Sequence, residues 1–381
     1  MKKALINLFL ILMLCISYAN SKAVLAGGAV SISNADVYEA FVKQASPSGK
    51  SSYVGVITAG TDYSIAKSTA NDIISILRYR YGIKKAVWLP FHEDNGRSCT
   101  STSYNSIINS LTGIFFNGGD TGPILDCFLP NGKSTSATSL IRSRYNSGSL
   151  AVFGSSAGSI VLQKTPVLQI QDSWNALVNG PRYVAQAGLG IFTKGFFDAH
   201  FSTRGRMGVF TRNIWDKGGS IGFGVDQDTA MVMDTTSSFT VTGVAGVFIV
   251  DVSDAIKGSL YSSNKNRWAL RNVKVSYLTS GDGYTFSSNS VKISTSKSRF
   301  TGSTNSAAKY SSDIFSTDGF TTITTGLFRS KTSTKTYGLT TETKPQYRLD
   351  FTKKSDSRAY ISGSKISYVN LYMDIYCVKN C

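Results

Sequence analysis

Short apolar runs alternate with helical stretches between residues 23 and 252. The apolar runs have the length of strands buried on both faces and read AVLAGGAV, SYVGVITAG, KAVWLPF, LTGIFFNGG, LAVFGS and GFGV. Between them, DVYEAFVKQA and STANDIISILRYRYG place apolar residues three and four positions apart, as amphipathic helices do. Strands that alternate with helices predict an α/β fold, a mostly parallel sheet flanked by helices.

The pattern changes after about residue 256, where the chain becomes rich in Ser and Thr with short alternations of apolar and polar residues. These alternations predict antiparallel strands with polar faces, or in part flexible loops. We expect an α/β domain over residues 22–285 and a β-rich C-terminal extension over residues 286–381. The apolar run at about 366–378 is expected to be a strand that docks on the core.

The N-terminus has the layout of a secretory signal peptide, with a basic start, a short apolar stretch and small residues after it. We expect a signal over residues 1–21, with cleavage after Ala19 or, as an alternative, after Ala23. An uncleaved membrane anchor is the other interpretation. The mature protein is then exported, either secreted or periplasmic, with no membrane contact after cleavage.

Export makes disulfides possible, because four cysteines remain after the signal is removed. Of the three possible pairings we expect Cys99 with Cys127 and Cys377 with Cys381, and unpaired buried thiols are the alternative.

A formal net charge of +17 is one feature of proteins that bind nucleic acids. Lys and Arg are scattered, however, with no basic stripe interleaved with aromatic residues, so nucleic-acid binding is not expected. Two histidines and no Cys/His cluster leave few metal ligands, and we expect neither a metal nor a cofactor.

Candidate chemistry follows three of the predicted strands, in the segments TAG, NGGDTG and GSSAG. In parallel sheets, ligands gather at the carboxyl ends of the strands. Residues 154–158 fit the pattern Gly-x-Ser-x-Gly, which selects Ser156 as a nucleophile held on a sharp strand-to-helix turn. The N–H of Ala157 and the backbone near Gly119 are the expected oxyanion donors.

A serine nucleophile needs a base, and the chain offers two histidines. His92 lies in a polar loop and is expected to be exposed. His200 follows an apolar run and lies close in sequence to three charged residues, Asp198, Arg204 and Arg206. This cluster is typical of a site for a charged substrate, in which the arginines could clamp a carboxylate.

The motifs resemble, in order, those of the cyanophycinase and dipeptidase E group of serine exopeptidases. The resemblance covers about Val24 to Tyr284 and includes VLAGG, FFNGGDTG, FGSSAG, LGIFTKGFFDAHFSTRGR and GFGVDQDTA. It implies a fold like that of class I glutamine amidotransferases. It also implies that Ser156 is the nucleophile and His200 the base of a Ser-His-Glu triad.

The chain departs from this family at several positions of the site. The position of the family's glutamate is Gln227, which can orient an imidazole but cannot offset the charge of an imidazolium. The flanking Asp226 and Asp228 would point away from Gln227 in an extended segment. On the substrate side, Asp120, Asp198, Arg204 and Arg206 match the family, whereas Thr121 stands where cyanophycinases carry Gln.

These observations predict a secreted serine exopeptidase-like hydrolase in which Gln227 orients His200. The expected partner is a small peptide or isopeptide substrate, with a carboxylate as one option, and a homodimer is one option for the assembly. The alternative is a catalytically impaired extracellular binding protein, favoured by Gln227 and the altered substrate positions.

Overall fold

A computed structural model describes residues 21–96, 98–260 and 267–381 of the protein. The predicted signal, residues 1–21, lies outside the described residues except for Ser21. Among the described helices none has the length and apolar character needed to cross a membrane.

The secondary structure alternates strand and helix in the first half and is mostly strand in the second. The helices are α1 (Ala35–Ala45), α2 (Tyr63–Ser75), α3 (Asn105–Ser110), α4 (Thr121–Phe128), α5 (Ser136–Asn146), α6 (Ala157–Ile160), α7 (Ser173–Asn179), α8 (Met207–Asp216) and α9 (Gly319–Arg329). A π-helical turn, Ile76–Arg80, extends α2, and a 3₁₀ turn, Pro130–Gly132, follows α4. The strands are β1 (Ala23–Ala26), β2 (Tyr53–Ile57), β3 (Lys85–Leu89), β4 (Gly113–Phe116), β5 (Ala151–Ser155), β6 (Val167–Leu168), β7 (Tyr183–Ala185), β8 (Phe196–Ala199), β9 (Ile221–Val225), β10 (Thr229–Thr235), β11 (Ser238–Gly243), β12 (Gly246–Asp251), β13 (Ile256–Lys257), β14 (Leu270–Thr279), β15 (Gly283–Thr285), β16 (Ser290–Lys292), β17 (Ser298–Phe300), β18 (Lys335–Leu339), β19 (Gln346–Ser362) and β20 (Lys365–Lys379).

The first large sheet has the order β16-β15-β11-β10-β1-β5-β4-β2-β3. Its strands β1, β5, β4, β2 and β3 are parallel, and the other four continue it in antiparallel fashion. Residues at alternate positions point to opposite faces, so Val24 packs in one core cluster and Leu25 in another. The predicted α/β fold with helices on the sheet is confirmed.

Helices cover both faces of this sheet. On one face α1 packs Phe41 edge-on against the stacked rings of Phe115 and Phe153, with ring centroids 6.2 and 5.3 Å away. Asn34 caps α1 by accepting a hydrogen bond from the N–H of Val37. On the other face, α4 and α5 bury Phe128 and other apolar side chains against Phe116 and its neighbours.

A second nine-stranded sheet contains β9, which is the apolar run GFGV. The alternation of strands and helices predicts this run in the same parallel sheet as the other apolar runs, so that prediction is wrong. The main path of the second sheet is β17-β19-β20-β14-β12-β9-β8, with β13 paired to β14 and β18 to β19. Strands β8 and β9 are parallel and the other pairs are antiparallel. An apolar run of this length looks the same in either sheet, so periodicity alone could not separate them.

The C-terminal region contributes to both sheets, with β16 in the first and β17 to β20 in the second. The strand β20, which covers the run predicted at 366–378, pairs with β14 and with β19. The domain boundary near residue 285 stays a prediction.

One Thr-rich segment of this region, expected to be strand or loop, is the helix α9. Its buried residues Phe320, Ile323 and Leu327 recur at helical spacing and pack into the second core cluster. The β-branched threonines favour a strand by intrinsic propensity. The helix forms nevertheless, because it buries this apolar face in the core.

Two disulfides are present, Cys99–Cys127 and Cys377–Cys381. They are the pairs expected from the sequence and are compatible with a location outside the cytoplasm.

A buried ion pair ties the C-terminal region to the end of β14. The side chains of Lys297 and Asp282 are 2% and 0% exposed, and Lys297 Nζ lies 2.7 Å from Asp282 Oδ2. Lys297 Nζ also donates to Thr279 and to the hydroxyl of Ser367. The pair is therefore fully desolvated and hydrogen-bonded.

We predict that Lys297→Met lowers the free energy of unfolding by about 3 kcal/mol, because it leaves the Asp282 carboxylate buried without its cation. Urea unfolding measures the change. The control is Lys292→Met at an exposed position, with an expected change below about 0.5 kcal/mol. Equal stabilities of the two variants would contradict a contribution from the ion pair.

Candidate active site

Ser156 occupies a tight turn between β5 and the short helix α6. Its φ of 54° is one that non-glycine residues rarely adopt, and such strain often marks functional sites. Two glycines permit the turn, since a Cβ at Gly154 would lie 2.7 Å from the Ser159 Cα. A Cβ at Gly158 would lie 2.2 Å from the carbonyl oxygen of Phe116. The local geometry is that of a nucleophile elbow.

His200 follows the last residue of β8 and meets Ser156 from the second sheet. Its Nε2 lies 2.6 Å from the Oγ of Ser156, and the side chain is buried. His200 also has a positive φ, 51°, and its backbone N–H donates to the carbonyl of Gly27. The two side chains come from the carboxyl ends of strands in different sheets.

Two glycines outside the predicted site residues, Gly28 and Gly118, make this contact possible. A Cβ at Gly28, where φ is 94°, would lie 2.4 Å from Nε2 of His200 and 2.8 Å from Cβ of Ser156. A Cβ at Gly118 would lie 3.0 Å from the Cβ of Ser156. Each glycine is part of a Gly-Gly pair that directly follows a predicted strand. This position is the feature of the sequence that could have indicated their role in the site.

Gln227 lies in the turn between β9 and β10 and contacts the other side of His200. Its Nε2 is 2.7 Å from Nδ1 of His200. The flanking carboxylates have other partners: Asp226 accepts from the N–H of Ser202 and the hydroxyl of Tyr277. Asp228 accepts from the N–H of Ser31 and the amide of Asn34. The group on Nδ1 is thus a neutral amide.

The orientation of that amide determines the tautomer of the imidazole. The NH₂ end can only donate, so with Nε2 on Nδ1 the ring proton resides on Nε2 and faces Ser156. A half-turn of the amide places its oxygen on Nδ1, moves the proton there and leaves Nε2 free to accept from the serine hydroxyl. A carboxylate at this position would permit only the second arrangement.

Burial lowers the pKa of His200 from 6.5 to about 4, and the positive charges of Arg204 and Arg206 act in the same direction, opposed by Asp198. The imidazole is therefore neutral at neutral pH, the form that a general base requires. Burial also raises the pKa of Asp226 to about 6, against the hydrogen bonds from Ser202 and Tyr277.

One of the two predicted oxyanion residues is adjacent to Ser156 in the chain. Ala157 is the first residue of α6, directly after the serine. Gly119 is packed closely, since a Cβ there would lie 1.9 Å from the Gly60 carbonyl oxygen. Asp120 is the N-cap of α4, in which Thr121 is the first residue, and its carboxylate accepts from the N–H of Gly122.

The three charged residues near His200 separate into a pair and a single residue. Asp198 and Arg206 form a buried ion pair, with Arg206 Nε 2.7 Å from Asp198 Oδ2. Arg206 also donates to the carbonyl of Gln171. Arg204 is exposed beside the imidazole. Arg204 is therefore the arginine of this cluster that a substrate could reach without breaking an ion pair.

The C-terminal region packs against the turn that carries His200. The hydroxyls of Ser202 and Thr321 lie 2.7 Å apart, and the Asp318 N–H donates to the carbonyl of Ser202. Thr317 Oγ1 donates to the carbonyl of Thr203. Residues from the start of α9 thus hold the loop between β8 and α8.

The expectation that His92 is exposed is wrong. Its side chain is buried, with Nε2 2.8 Å from the carbonyl oxygen of Thr61 and Nδ1 accepting from the N–H of Asp94. The polar loop folds back on a distant segment, which local sequence does not reveal.

Comparisons with known proteins give information on the fold and on the family of this chain. No family model matches the chain. A crystal structure of a peptidase from an acI-B1 Actinobacterium superposes with a TM-score of 0.52 at 19% identity, covering 71% of this chain and 98% of that chain. The chain thus has the α/β fold of that peptidase.

The sequence matches include cyanophycinases. The protein of Trichormus variabilis is 26% identical over 188 residues, which cover 49% of this chain and 61% of the relative. The cyanophycinase of Geminocystis herdmanii is 27% identical over 184 residues, which cover 48% of this chain and 65% of the relative. The chain therefore matches less than two thirds of the length of these relatives. The matches support the assignment to the cyanophycinase and peptidase E family that the ordered motifs predict.

We predict that Gly28→Ala slows the reaction of Ser156 with a fluorophosphonate by about 100-fold, because the added Cβ displaces His200 from the serine. The rate of covalent labelling measures this. The matched control is Gly82→Ala, which also has a positive φ, 78°, but no atom within 4 Å of the added Cβ. An equal effect of both substitutions would show that backbone strain alone is responsible.

We predict that Gln227→Glu raises the pKa of His200 by about 2 from its value of about 4, because a carboxylate on Nδ1 stabilises the imidazolium. An NMR titration of the imidazole measures the pKa. An unchanged midpoint would show that residue 227 does not contact Nδ1 in solution.

Proposed function

We propose that the protein is a secreted serine exopeptidase-like hydrolase that cleaves a small peptide or isopeptide substrate. The observation that carries the proposal is the 2.6 Å contact between Ser156 Oγ and His200 Nε2 at a strained strand-to-helix turn. The peptidase fold and the cyanophycinase relatives support hydrolysis of an amide bond. The two disulfides are compatible with secretion.

In the proposed mechanism Ser156 Oγ attacks the carbonyl carbon while Nε2 of His200 takes the hydroxyl proton. The oxyanion forms beside the N–H of Ala157 and the backbone at Gly118 and Gly119. His200 then returns the proton to the leaving amine, and a water molecule releases the acyl group by the same steps in reverse. Arg204 is available to bind a substrate carboxylate. Asp120 and Thr121 are the other proposed substrate-binding residues at this site.

Because Gln227 replaces a carboxylate, we expect it to limit the rate of hydrolysis. With its amide oxygen on Nδ1 it holds the productive tautomer, but it offers no negative charge to the imidazolium of the transition state. In a trypsin-type protease the corresponding Asp→Asn change lowers kcat by about 10⁴. We therefore expect a slow hydrolase.

The second candidate is a binding protein that retains the Ser156–His200 site without turnover. The specific observation in its favour is the contact of Gln227 Nε2 with Nδ1, which directs the ring proton toward Ser156 and leaves the serine without an acceptor.

A hydrolysis assay with dipeptides, β-aspartyl dipeptides and activated esters distinguishes the two candidates. We predict measurable turnover that Ser156→Ala abolishes, and an increase in kcat of about 10²–10⁴ in Gln227→Glu. The control, Gln186→Glu, changes an exposed glutamine and is expected to have no effect. Turnover that survives Ser156→Ala, or no turnover in either the parent chain or Gln227→Glu, would contradict the enzymatic proposal.

A further inference from the structure

A cavity of about 550 Å³ is lined mainly by residues of strands β18, β19 and β20. Tyr337 pairs in register with Asp350, and Asp350 with Asp374, so a row of side chains crosses the three strands. The volume falls in the range of small-molecule sites. None of the proposed catalytic residues lines this cavity, so it is independent of the proposed hydrolysis.

Two stacked tyrosines form one wall. The rings of Tyr310 and Tyr337 lie 5.1 Å apart between centroids, with an angle of 11° between their planes. The guanidinium carbon of Arg348 is 3.8 Å from the centroid of the Tyr337 ring. Tyr337 is thus held by two partners, whereas Tyr310 remains 59% exposed. The exposed aromatic ring of this wall is therefore that of Tyr310.

The polar groups of the cavity are held in position and balanced in charge. Arg348 Nε donates to Asp350 Oδ1 at 2.7 Å, and the hydroxyl of Tyr376 donates to the other oxygen. Asp374 accepts from the N–H of Asn272. Among the described residues that line the cavity, the charged ones are two cations, Lys335 and Arg348, and the two aspartates. These four charges balance, although the whole chain carries +17.

We propose that this cavity binds a neutral saccharide. A pyranose ring has a C–H face that packs on an aromatic ring and a rim of hydroxyls that donate to carboxylates and accept from ammonium or guanidinium groups. The tyrosine wall matches the first feature, and the row from Lys335 to Asp374 matches the second. Since the charges of the described lining residues balance, these residues give no electrostatic preference for a polyanion. The site would hold the protein on a polysaccharide surface.

Affinity electrophoresis of the full chain tests the proposal, with gels that contain laminarin, xylan, hydroxyethyl cellulose or soluble starch. Co-sedimentation with chitin extends the panel to an insoluble polymer. We expect retardation or co-sedimentation with at least one neutral polymer. We also expect Tyr310→Ala to weaken that binding about tenfold, the effect of losing about 1.4 kcal/mol of ring contact.

The matched control is Tyr79→Ala, which removes a tyrosine that is 79% exposed in the turn after α2, and it should bind like the parent chain. Equal melting temperatures of the two variants show that any loss is local. Binding to none of the polymers overturns the proposal. Binding that Tyr310→Ala leaves unchanged, or that occurs only with heparin and disappears in salt, overturns it as well.

Discussion

The contact between Ser156 and His200 joins the carboxyl ends of two strands that belong to different sheets, β5 and β8. Both residues have positive φ values, and such conformations each cost about 1–3 kcal/mol unless the surrounding structure compensates. Here the compensation comes from close packing. Gly28 allows the imidazole to approach the serine, and the carbonyl of Gly27 accepts the N–H of His200.

This constraint explains why the C-terminal region is part of the candidate site and not only an addition to it. Strand β20 extends the sheet that carries His200, and the start of α9 holds the loop that follows His200 through Ser202. The position of the base thus depends on chain segments more than 100 residues apart. Gln227 completes the arrangement from a neighbouring turn, with an amide whose two ends favour opposite tautomers of the base.

The sequence predicted those parts that depend on local pattern. Ser156 could be found because an apolar strand, small residues and a helix follow one another within a few positions, and His200 because there are two histidines to consider. The role of Gln227 came from the family resemblance, since a glutamine in a turn carries no chemical signal of its own. Gly28 was missed because two glycines after a strand also make an ordinary turn.

Other features depend on long-range packing that local sequence does not contain. The split into two sheets could not be predicted because GFGV is equally apolar in either one. The segment of helix α9 was predicted to be strand or loop, because its threonines outweighed the helical spacing of Phe320, Ile323 and Leu327. His92 is buried by a contact with Thr61, 31 positions earlier in the chain.

A crystal structure of the protein after reaction with a fluorophosphonate tests the Ser156–His200 arrangement most directly. The account predicts a single phosphonyl group on Ser156 Oγ, with its oxygen beside the N–H of Ala157 and with Nε2 of His200 within hydrogen-bond distance of the adduct. An unmodified Ser156, or an adduct on another serine with His200 turned away, would contradict it.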